Sequence, residues 1–285
     1  MRFVFDIDGT LCFDGRLIDQ TIIDTLLQLQ HDGHELIFAS ARPIRGLLPV
    51  LPSVFHRHTL IGANGAMISQ QSKISVIKPI HTDTYHHILK IIQKYELDFI
   101  IDDDWNYAAQ LDAENAIFER LDPHKLASCI DVANIDTPIK VILLNIDPAQ
   151  ITTILDELNK YHQELEMIHH SNEYNIDITA QNINKYTALQ YIFDADVKYI
   201  AFGNDHNDIV MLQHASSGYI IGPSEAYTHA ILKLDKIKHI NNNAQAICKV
   251  LKSYKQKTPL SNDNHYQSIG AILIKFVLEH FVLFI

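Results

Sequence analysis

The chain has 285 residues, 47% hydrophobic and 20% charged, so it can bury a sizeable core and differs from a disordered or fibrous chain. Its 23 basic and 34 acidic residues give a net charge of −11, which argues against a protein that wraps nucleic acid, because such proteins need a basic surface. The three cysteines, Cys12, Cys129 and Cys248, lie far apart, so we expect no disulfide framework and a cytoplasmic location.

The two ends of the sequence predict no membrane span. The N-terminus meets acidic residues at Asp6 and Asp8 before any long apolar stretch, so we expect no signal peptide. The apolar tail, residues 271–285, is interrupted by Lys275 and Glu279 and is shorter than the roughly 20 residues of a spanning helix. We therefore expect an amphipathic helix that packs on the domain or joins two copies in a homodimer.

Strands and helices alternate at both ends of the sequence, which predicts an α/β fold with a Rossmann-like parallel sheet. The first half predicts a helix that begins after Asp19 and ends at Gly33. Strands are predicted at 2–5, 35–39, 59–62, 197–202 and 218–221, and further helices at 185–193 and 209–213.

The middle of the chain predicts a mixed α+β domain inserted into that sheet. It combines helices at 85–95 and 148–161 with strands at 97–101, 140–146, 166–169 and 175–179. We accordingly predict a core domain of residues 1–80 and 184–258, an inserted domain of residues 81–183, and a polar linker with the apolar tail at 259–285.

Two carboxylates follow the first strand in the string Phe5-Asp6-Ile7-Asp8-Gly9-Thr10. Side chains at i and i+2 of an extended segment point the same way, and the carboxyl ends of parallel strands are where open α/β sheets bind ligands. Two close carboxylates call for a counter-charge such as a hard divalent cation. Gly9 permits a sharp turn, which the hydroxyl of Thr10 can hold.

This string resembles the first motif of the haloacid dehalogenase (HAD) superfamily of phosphohydrolases. The resemblance implies that Asp6 is the nucleophile that forms an aspartyl-phosphate, that Asp8 is the acid and base, and that Mg²⁺ is the cofactor. The strand end Ser40-Ala41-Arg42 resembles the second motif, which implies that Ser40 binds the phosphoryl group. Lys185, at a predicted helix start, resembles the motif lysine that neutralises phosphate and nucleophile.

The loop Gly203-Asn204-Asp205-His206-Asn207-Asp208 resembles the acidic fourth motif, which supplies metal ligands. Asp208 matches its position in the family pattern. The other ligand position holds Asn204, with Asp205 one place later, so either Asn204 or Asp205 is the direct ligand. The expected metal ligands are therefore Asp6, Asp8, Asn204, Asp205 and Asp208.

The insert lies between Asn64-Gly65-Ala66 and Lys185, which is the slot of a type II cap, and the Asn-Gly-Ala turn resembles the Cof-like (IIB) subfamily. Members of that subfamily mostly hydrolyse phosphorylated sugars and other small phosphometabolites. The substrate-binding residues expected from the motifs are Thr10, Ala41, Arg42, Asn64, Gly65 and Asn207. Arg42 is compatible with either a structural or a phosphate-facing role.

The sequence thus predicts a Mg²⁺-dependent phosphatase acting on small phosphorylated metabolites, sugar phosphates among them. One alternative is a phosphomutase of the same superfamily, and another is a metabolite-binding protein with weakened catalysis, which Asn204 favours. The 17 histidines lack the spacing of zinc sites. The run Asp102-Asp103-Asp104 is interpreted as a solvated turn.

Overall fold

The computed structural model describes residues 1–111, 121–170, 174–222 and 234–254. Met1–Ser253 form one compact unit. The predicted linker and apolar tail, and with them the predicted homodimer contact, lie outside the described residues. Within the ranges above, no helix is both long and apolar enough to cross a membrane.

The described residues contain a main sheet of eight strands in the order β13-β12-β11-β1-β2-β3-β4-β5. The strands from β13 to β3 are parallel, and β4 and β5 are antiparallel to their neighbours. The strands are β1 (Arg2–Asp6), β2 (Glu35–Ala39), β3 (Thr59–Gly62), β4 (Met67–Gln70), β5 (Lys73–Val76), β11 (Ile200–Gly203), β12 (Ser217–Ile221) and β13 (Ile237–Ile240). The flanking helices are α1 (Gln20–His31), α2 (Ile44–Leu47), α5 (Lys185–Phe193), α6 (Ile209–His214) and α7 (Ala244–Lys252).

The middle of the main sheet brings the predicted motifs to one edge. The central strand β1 lies between β2 and β11, and its residues Phe3, Val4 and Phe5 are fully buried. Because these three strands are parallel, their carboxyl ends meet on the same side. Asp6 is the last residue of β1, and Ser40 and Asn204 directly follow β2 and β11, so the three lie at a single edge.

A second sheet, which we call the cap sheet, has the strand order β7-β6-β8-β10-β9 and is antiparallel throughout. Its strands are β6 (Asp98–Asp102), β7 (Tyr107–Gln110), β8 (Lys140–Leu144), β9 (Leu165–His170) and β10 (Asn175–Ala180), and its helices are α3 (Thr82–Tyr95) and α4 (Ile151–Asn159). The cap sheet falls within the predicted insert. The exact domain boundaries stay predictions.

One face of the cap sheet builds its hydrophobic core. Phe99, Ile101, Val141 and Leu143 alternate along β6 and β8 and pack with apolar residues of α3 and α4. Such alternation is expected when one face of an antiparallel sheet is covered by helices. The residues between them, on the opposite face, are described with the site.

Several elements differ from the sequence prediction. Strands β4, β5, β7 and β13 were not predicted. They are short and partly polar in sequence, and they lie at or beside the edges of the two sheets.

The interpretation of residues 102–104 as a solvated turn is wrong for Asp102 and Asp103, which are 1% and 7% exposed. Asp102 pairs with a buried arginine, and Asp103 accepts a hydrogen bond from the backbone N–H of Thr137 at 2.7 Å.

Candidate active site

The centre of the site is a buried lysine between two carboxylates. Lys185 Nζ lies 2.5 Å from Asp6 Oδ1 and 2.7 Å from Asp208 Oδ1. Lys185 and Asp208 are fully buried, and Asp6 is 4% exposed. The helix start positions Lys185, because the Asn184 side chain accepts hydrogen bonds from the backbone N–H groups of Tyr186 and Thr187.

This cluster carries an excess negative charge, since two carboxylates share one ammonium group. Burial raises the pKa of Asp6 to about 7, and the nearby Asp208 charge adds to the effect, while Lys185 and Thr10 oppose it. For Lys185, burial lowers the pKa, but Asp208 and Asp6 outweigh it, so that the pKa is raised and the lysine stays charged. An additional cation beside Asp6 would therefore be stabilised here.

Asp8 is held by Arg42 rather than by a lysine. Arg42 Nη2 lies 2.6 Å from Asp8 Oδ1, and Arg42 Nε donates to Asp8 Oδ2 at 2.8 Å, which makes a bidentate contact. Arg42 also donates to the carbonyl oxygen of Gly15 at 2.9 Å. Its role in the described geometry is thus to orient Asp8.

Ser40 is fully buried at the end of β2, and its Oγ accepts a hydrogen bond from the backbone N–H of Arg42 at 3.0 Å. Its carbonyl oxygen accepts from the backbone N–H of Asn64 at 3.1 Å. The loop after β2 and the turn after β3 therefore support each other. Ala41, between Ser40 and Arg42, lines a cavity described below.

The turn after β3 brings Asn64 and Gly65 to the site. Asn64 adopts a left-handed conformation (φ 57°), and its Oδ1 accepts a hydrogen bond from Asn207 Nδ2 at 3.0 Å. A Cβ on Gly65 would lie 2.4 Å from the carbonyl oxygen of Asn184. This close approach lets the turn pack directly against the start of the helix that carries Lys185.

The 204–208 loop directs Asn204, not Asp205, toward Asp6. With its amide nitrogen facing inward, Asn204 lies 2.9 Å from Asp6 Oδ2 and 2.8 Å from the carbonyl oxygen of Asp8, both of them acceptors. It also lies 3.0 Å from Thr10 Oγ1. Asp205 is exposed, and its side chain caps the short helix His206–Asp208.

Both carboxylate oxygens of Asp208 accept hydrogen bonds from other groups of the protein. Its Oδ1 accepts from Lys185, and its Oδ2 accepts from the backbone N–H groups of Asn204 and Asp205 at 2.9 and 3.1 Å. It thereby fixes the shape of the loop. In the described ranges, no group of three or more His, Cys, Asp or Glu side chains is arranged to hold a metal ion.

A different donor set nevertheless fits a hard cation. The side-chain amide of Asn204 lies within hydrogen-bonding distance of both the Asp6 carboxylate and the carbonyl oxygen of Asp8. Rotation of the Asn204 amide would turn Oδ1 toward the other two oxygens. Carboxylate, carbonyl and amide oxygens are suitable ligands for Mg²⁺.

Two residues of the cap sheet that sequence reasoning did not select also contact the segment that follows β2. Asp102 forms a buried ion pair with Arg45, whose guanidinium lies 4.7 Å from the ring centre of Tyr107. Lys140 Nζ lies 2.6 Å from Asp177 Oδ2 and donates to the carbonyl oxygen of Ala41 at 3.3 Å. A charged residue next to the buried apolar run of β8 was the available signal for Lys140.

A profile of the haloacid dehalogenase-like hydrolases matches residues 3–266 of the chain. The chain therefore belongs to the haloacid dehalogenase-like hydrolase family. This match confirms the superfamily and the hydrolase class that the four motifs predicted.

Individual proteins that resemble the chain extend over nearly all of it. It is 25% identical over 281 residues to 5-amino-6-(5-phospho-D-ribitylamino)uracil phosphatase YitU of Bacillus subtilis (strain 168), a match that covers 87% of this chain and 95% of that protein. It shares 18% identity and a TM-score of 0.73 with a haloacid dehalogenase-like hydrolase from Bacteroides thetaiotaomicron, over 88% and 98% of the two chains. With the HAD subclass IIB sugar phosphatase BT4131 it shares 19% identity and a TM-score of 0.68, over 89% and 98%. These structures confirm the predicted α/β fold.

Proposed function

We propose that the protein is a phosphoric monoester hydrolase that acts on small phosphorylated metabolites, sugar phosphates among them. The observation that carries the proposal is the buried contact of Lys185 with Asp6, at the same sheet edge as Ser40 and Asp8. A relative named as a phosphatase of a phosphoribitylamino compound and a fold neighbour named as a sugar phosphatase support this substrate class.

Asp6 is the proposed nucleophile. Its carboxylate attacks phosphorus while the bond from phosphorus to the leaving oxygen breaks, which gives an aspartyl-phosphate and an alcohol. Lys185 holds Asp6 Oδ1 and offsets its charge. Ser40 and Lys185 bind the non-bridging oxygens of the phosphoryl group, whose negative charge must be stabilised as the bond forms.

Asp8 moves the protons in both halves of the proposed reaction. It protonates the leaving oxygen and then takes a proton from the water that attacks phosphorus and releases Asp6. With both Asp8 oxygens bound to Arg42, the described geometry matches the second half, in which Asp8 is ionised and accepts a proton. The first half requires a protonated Asp8, and hence a looser contact with Arg42.

Mg²⁺ is the proposed cofactor, held by Asp6, the carbonyl oxygen of Asp8 and the side chain of Asn204. When bound, it supplies positive charge that offsets the repulsion between the Asp6 carboxylate and the phosphate. Asp208 stabilises this site indirectly, because it accepts hydrogen bonds from Lys185 and from the backbone of the 204–208 loop. Asp205 is assigned a capping role.

The test is phosphate release from p-nitrophenyl phosphate by the wild type and by Asp6→Asn, each with and without Mg²⁺. We expect release by the wild type only, and more of it with Mg²⁺. Equal, metal-independent rates in both proteins would contradict the proposal. A bisphosphorylated product without net phosphate release would instead indicate a phosphomutase, and ligand-induced stabilisation without turnover would indicate a binding protein.

A further inference from the structure

The face of the cap sheet opposite its hydrophobic core carries charged residues. Residues alternate between faces along a strand, so Ile100 and Asp102 of β6 share this face with Lys140 and Ile142 of β8. Asp102 and Lys140 lie directly opposite each other across the two strands, as do Ile100 and Ile142. The register therefore places an acid and a base side by side, next to an apolar pair.

Both of these charged residues are buried. Asp102 is 1% exposed and Lys140 is 4% exposed. They line a cavity of about 220 Å³ between the cap sheet and the loop after β2, with Ile100, Ile142 and Arg42 also in its wall. Because Arg42 holds Asp8, the cavity lies beside the proposed acid and base, where the leaving group of a substrate must sit.

Among the residues that the structure describes, the charged side chains at the cavity lie in pairs. Arg42 pairs with Asp8, Arg45 with Asp102, and Lys140 with Asp177. A leaving group with a second phosphate or a carboxylate would compete with Asp102 and Asp177, the carboxylates that already pair with Arg45 and Lys140. Hydroxyl groups, in contrast, accept a hydrogen bond from an ammonium and donate one to a carboxylate without adding a charge.

We propose that Lys140 is a specificity-determining residue, which donates a hydrogen bond to a hydroxyl of a neutral, polyhydroxylated leaving group while Asp102 accepts from a neighbouring hydroxyl. This inference rests on the proposed phosphatase function. It narrows the substrate class to monophosphates of neutral sugars or sugar alcohols. Ile100 and Ile142 contact the carbon skeleton of the leaving group.

The first experiment compares substrates for the wild type with Mg²⁺: a panel of neutral hexose, pentose and pentitol monophosphates, their bisphosphates, and p-nitrophenyl phosphate. We expect the highest kcat/KM for a neutral monophosphate. A bisphosphate as the best substrate would overturn the inference. A wild type that hydrolyses neither the panel nor p-nitrophenyl phosphate would instead defeat the proposed function.

The second experiment compares Lys140→Met with the wild type. We expect kcat/KM for the best sugar phosphate to fall about 10- to 100-fold, since a hydrogen bond from a charged donor is lost. The rate with p-nitrophenyl phosphate, whose leaving group has no hydroxyl for Lys140, should fall by a much smaller factor. Lys140→Arg, which keeps a cationic donor, should recover part of the loss.

The control is Lys94→Met, which removes another ion-paired lysine of the cap. Lys94 Nζ lies 2.5 Å from Glu157 Oε1, but Lys94 is 58% exposed and does not line the cavity. This variant should leave kcat/KM unchanged both for the sugar phosphate and for p-nitrophenyl phosphate. If Lys140→Met does not fold, Lys140→Met with Asp177→Asn removes both charges of the pair, and the same substrate comparison applies. An equal loss with both substrates overturns the inference.

Discussion

Arg45 and Asp102 form an ion pair between the short helix α2 and the cap sheet, with side chains only 1% and 2% exposed. The loss of one member of a buried pair leaves the other charge uncompensated. We expect Arg45→Met to lower the free energy of unfolding by about 3–5 kcal/mol. Urea unfolding measures this change.

The matched control breaks an exposed pair of the cap. Lys94→Met should lower the free energy of unfolding much less than Arg45→Met does, because solvent screens the contact of Lys94 with Glu157. Arg45→Met with Asp102→Leu removes both buried charges and should be more stable than Arg45→Met alone. Equal stability of Arg45→Met and Lys94→Met would contradict a structural role for the buried pair.

Lys185→Met tests the buried cluster at the centre of the site. It leaves Asp6 and Asp208 without their shared cation, so we expect a loss of about 3–5 kcal/mol in unfolding free energy and no measurable phosphate release. Adding Asp208→Asn should restore part of the stability but none of the activity. A double variant less stable than Lys185→Met would show that charge repulsion is not the cause.

Asn204→Asp tests which residue of the loop faces the proposed cation. A carboxylate in place of the amide adds a ligand charge, so we expect Mg²⁺ to bind about tenfold more tightly or better. Without Mg²⁺ the variant should melt at a lower temperature, because a third carboxylate joins Asp6 and Asp208. Isothermal titration and thermal denaturation measure the two effects.

Asp205→Asn is the control for that experiment. Asp205 is exposed and caps the short helix His206–Asp208, so its replacement should leave Mg²⁺ affinity close to that of the wild type. A large loss of affinity in Asp205→Asn, with none of the expected gain in Asn204→Asp, would assign the ligand role to Asp205 instead.

Gly65→Ala tests the contact that positions Lys185. Its Cβ would lie 2.4 Å from the carbonyl oxygen of Asn184, in a backbone conformation with φ of +109°. Gly33→Ala is the matched control, since Gly33 has a φ of +81° but no atom within 4 Å of the added Cβ. Gly33→Ala should cost about 1–2 kcal/mol from the backbone conformation alone.

Gly65→Ala should cost more than Gly33→Ala by about 1–3 kcal/mol, the usual range for overpacking. It should also reduce phosphate release, because the helix start that carries Lys185 must shift. Chemical denaturation and the p-nitrophenyl phosphate assay measure the two effects. Equal costs for the two variants would mean that the turn and the helix start adjust without strain.

The burial of the His58 ring leads us to expect that the protein loses stability in acid. Its ring packs edge-on against Phe55 and Phe38, and burial lowers its pKa below the ordinary 6.5, with an opposing contribution from the Phe55 backbone. The unfolded chain therefore binds a proton more readily, so stability present above pH 6.5 is lost as the pH falls below that value. His58→Phe should flatten this part of the stability curve, as thermal melts between pH 5 and 8 would show.

A slope that is the same in the wild type and in His58→Phe would assign the acid sensitivity to other groups.

The sequence predicted the edge of the main sheet well, because each motif follows a buried strand. Asp6, Ser40 and Asn204 could be placed together from the alternation of strands and helices alone. The contact of Arg42 with Asp8 could not, because it depends on how the loop after β2 folds back across 34 residues of sequence. The burial of Asp102 depends on Arg45 of α2, a cation 57 residues away in the sequence.

The charged pair on the face of the cap sheet opposite its hydrophobic core could not be predicted, for a different reason. The apolar run Phe99-Ile100-Ile101 between Asp98 and Asp102 suggests a strand but does not say which strand lies beside it. The register of β6 and β8 pairs Asp102 with Lys140, and this pairing cannot be read from the sequence of either strand alone. Pairing between strands so distant in sequence is set by the tertiary fold.

The short connection between the cap sheet and Lys185 limits where the chain can accept insertions. Strand β10 ends at Ala180 and Lys185 begins the next helix, so four residues, 181–184, connect the cap to the buried lysine. An added residue there would rotate or displace Lys185 relative to Asp6, whereas surface loops ordinarily accept insertions. We expect a scan of single-residue insertions to find this connection among the least tolerant segments of the chain, with phosphate release lost before folding is.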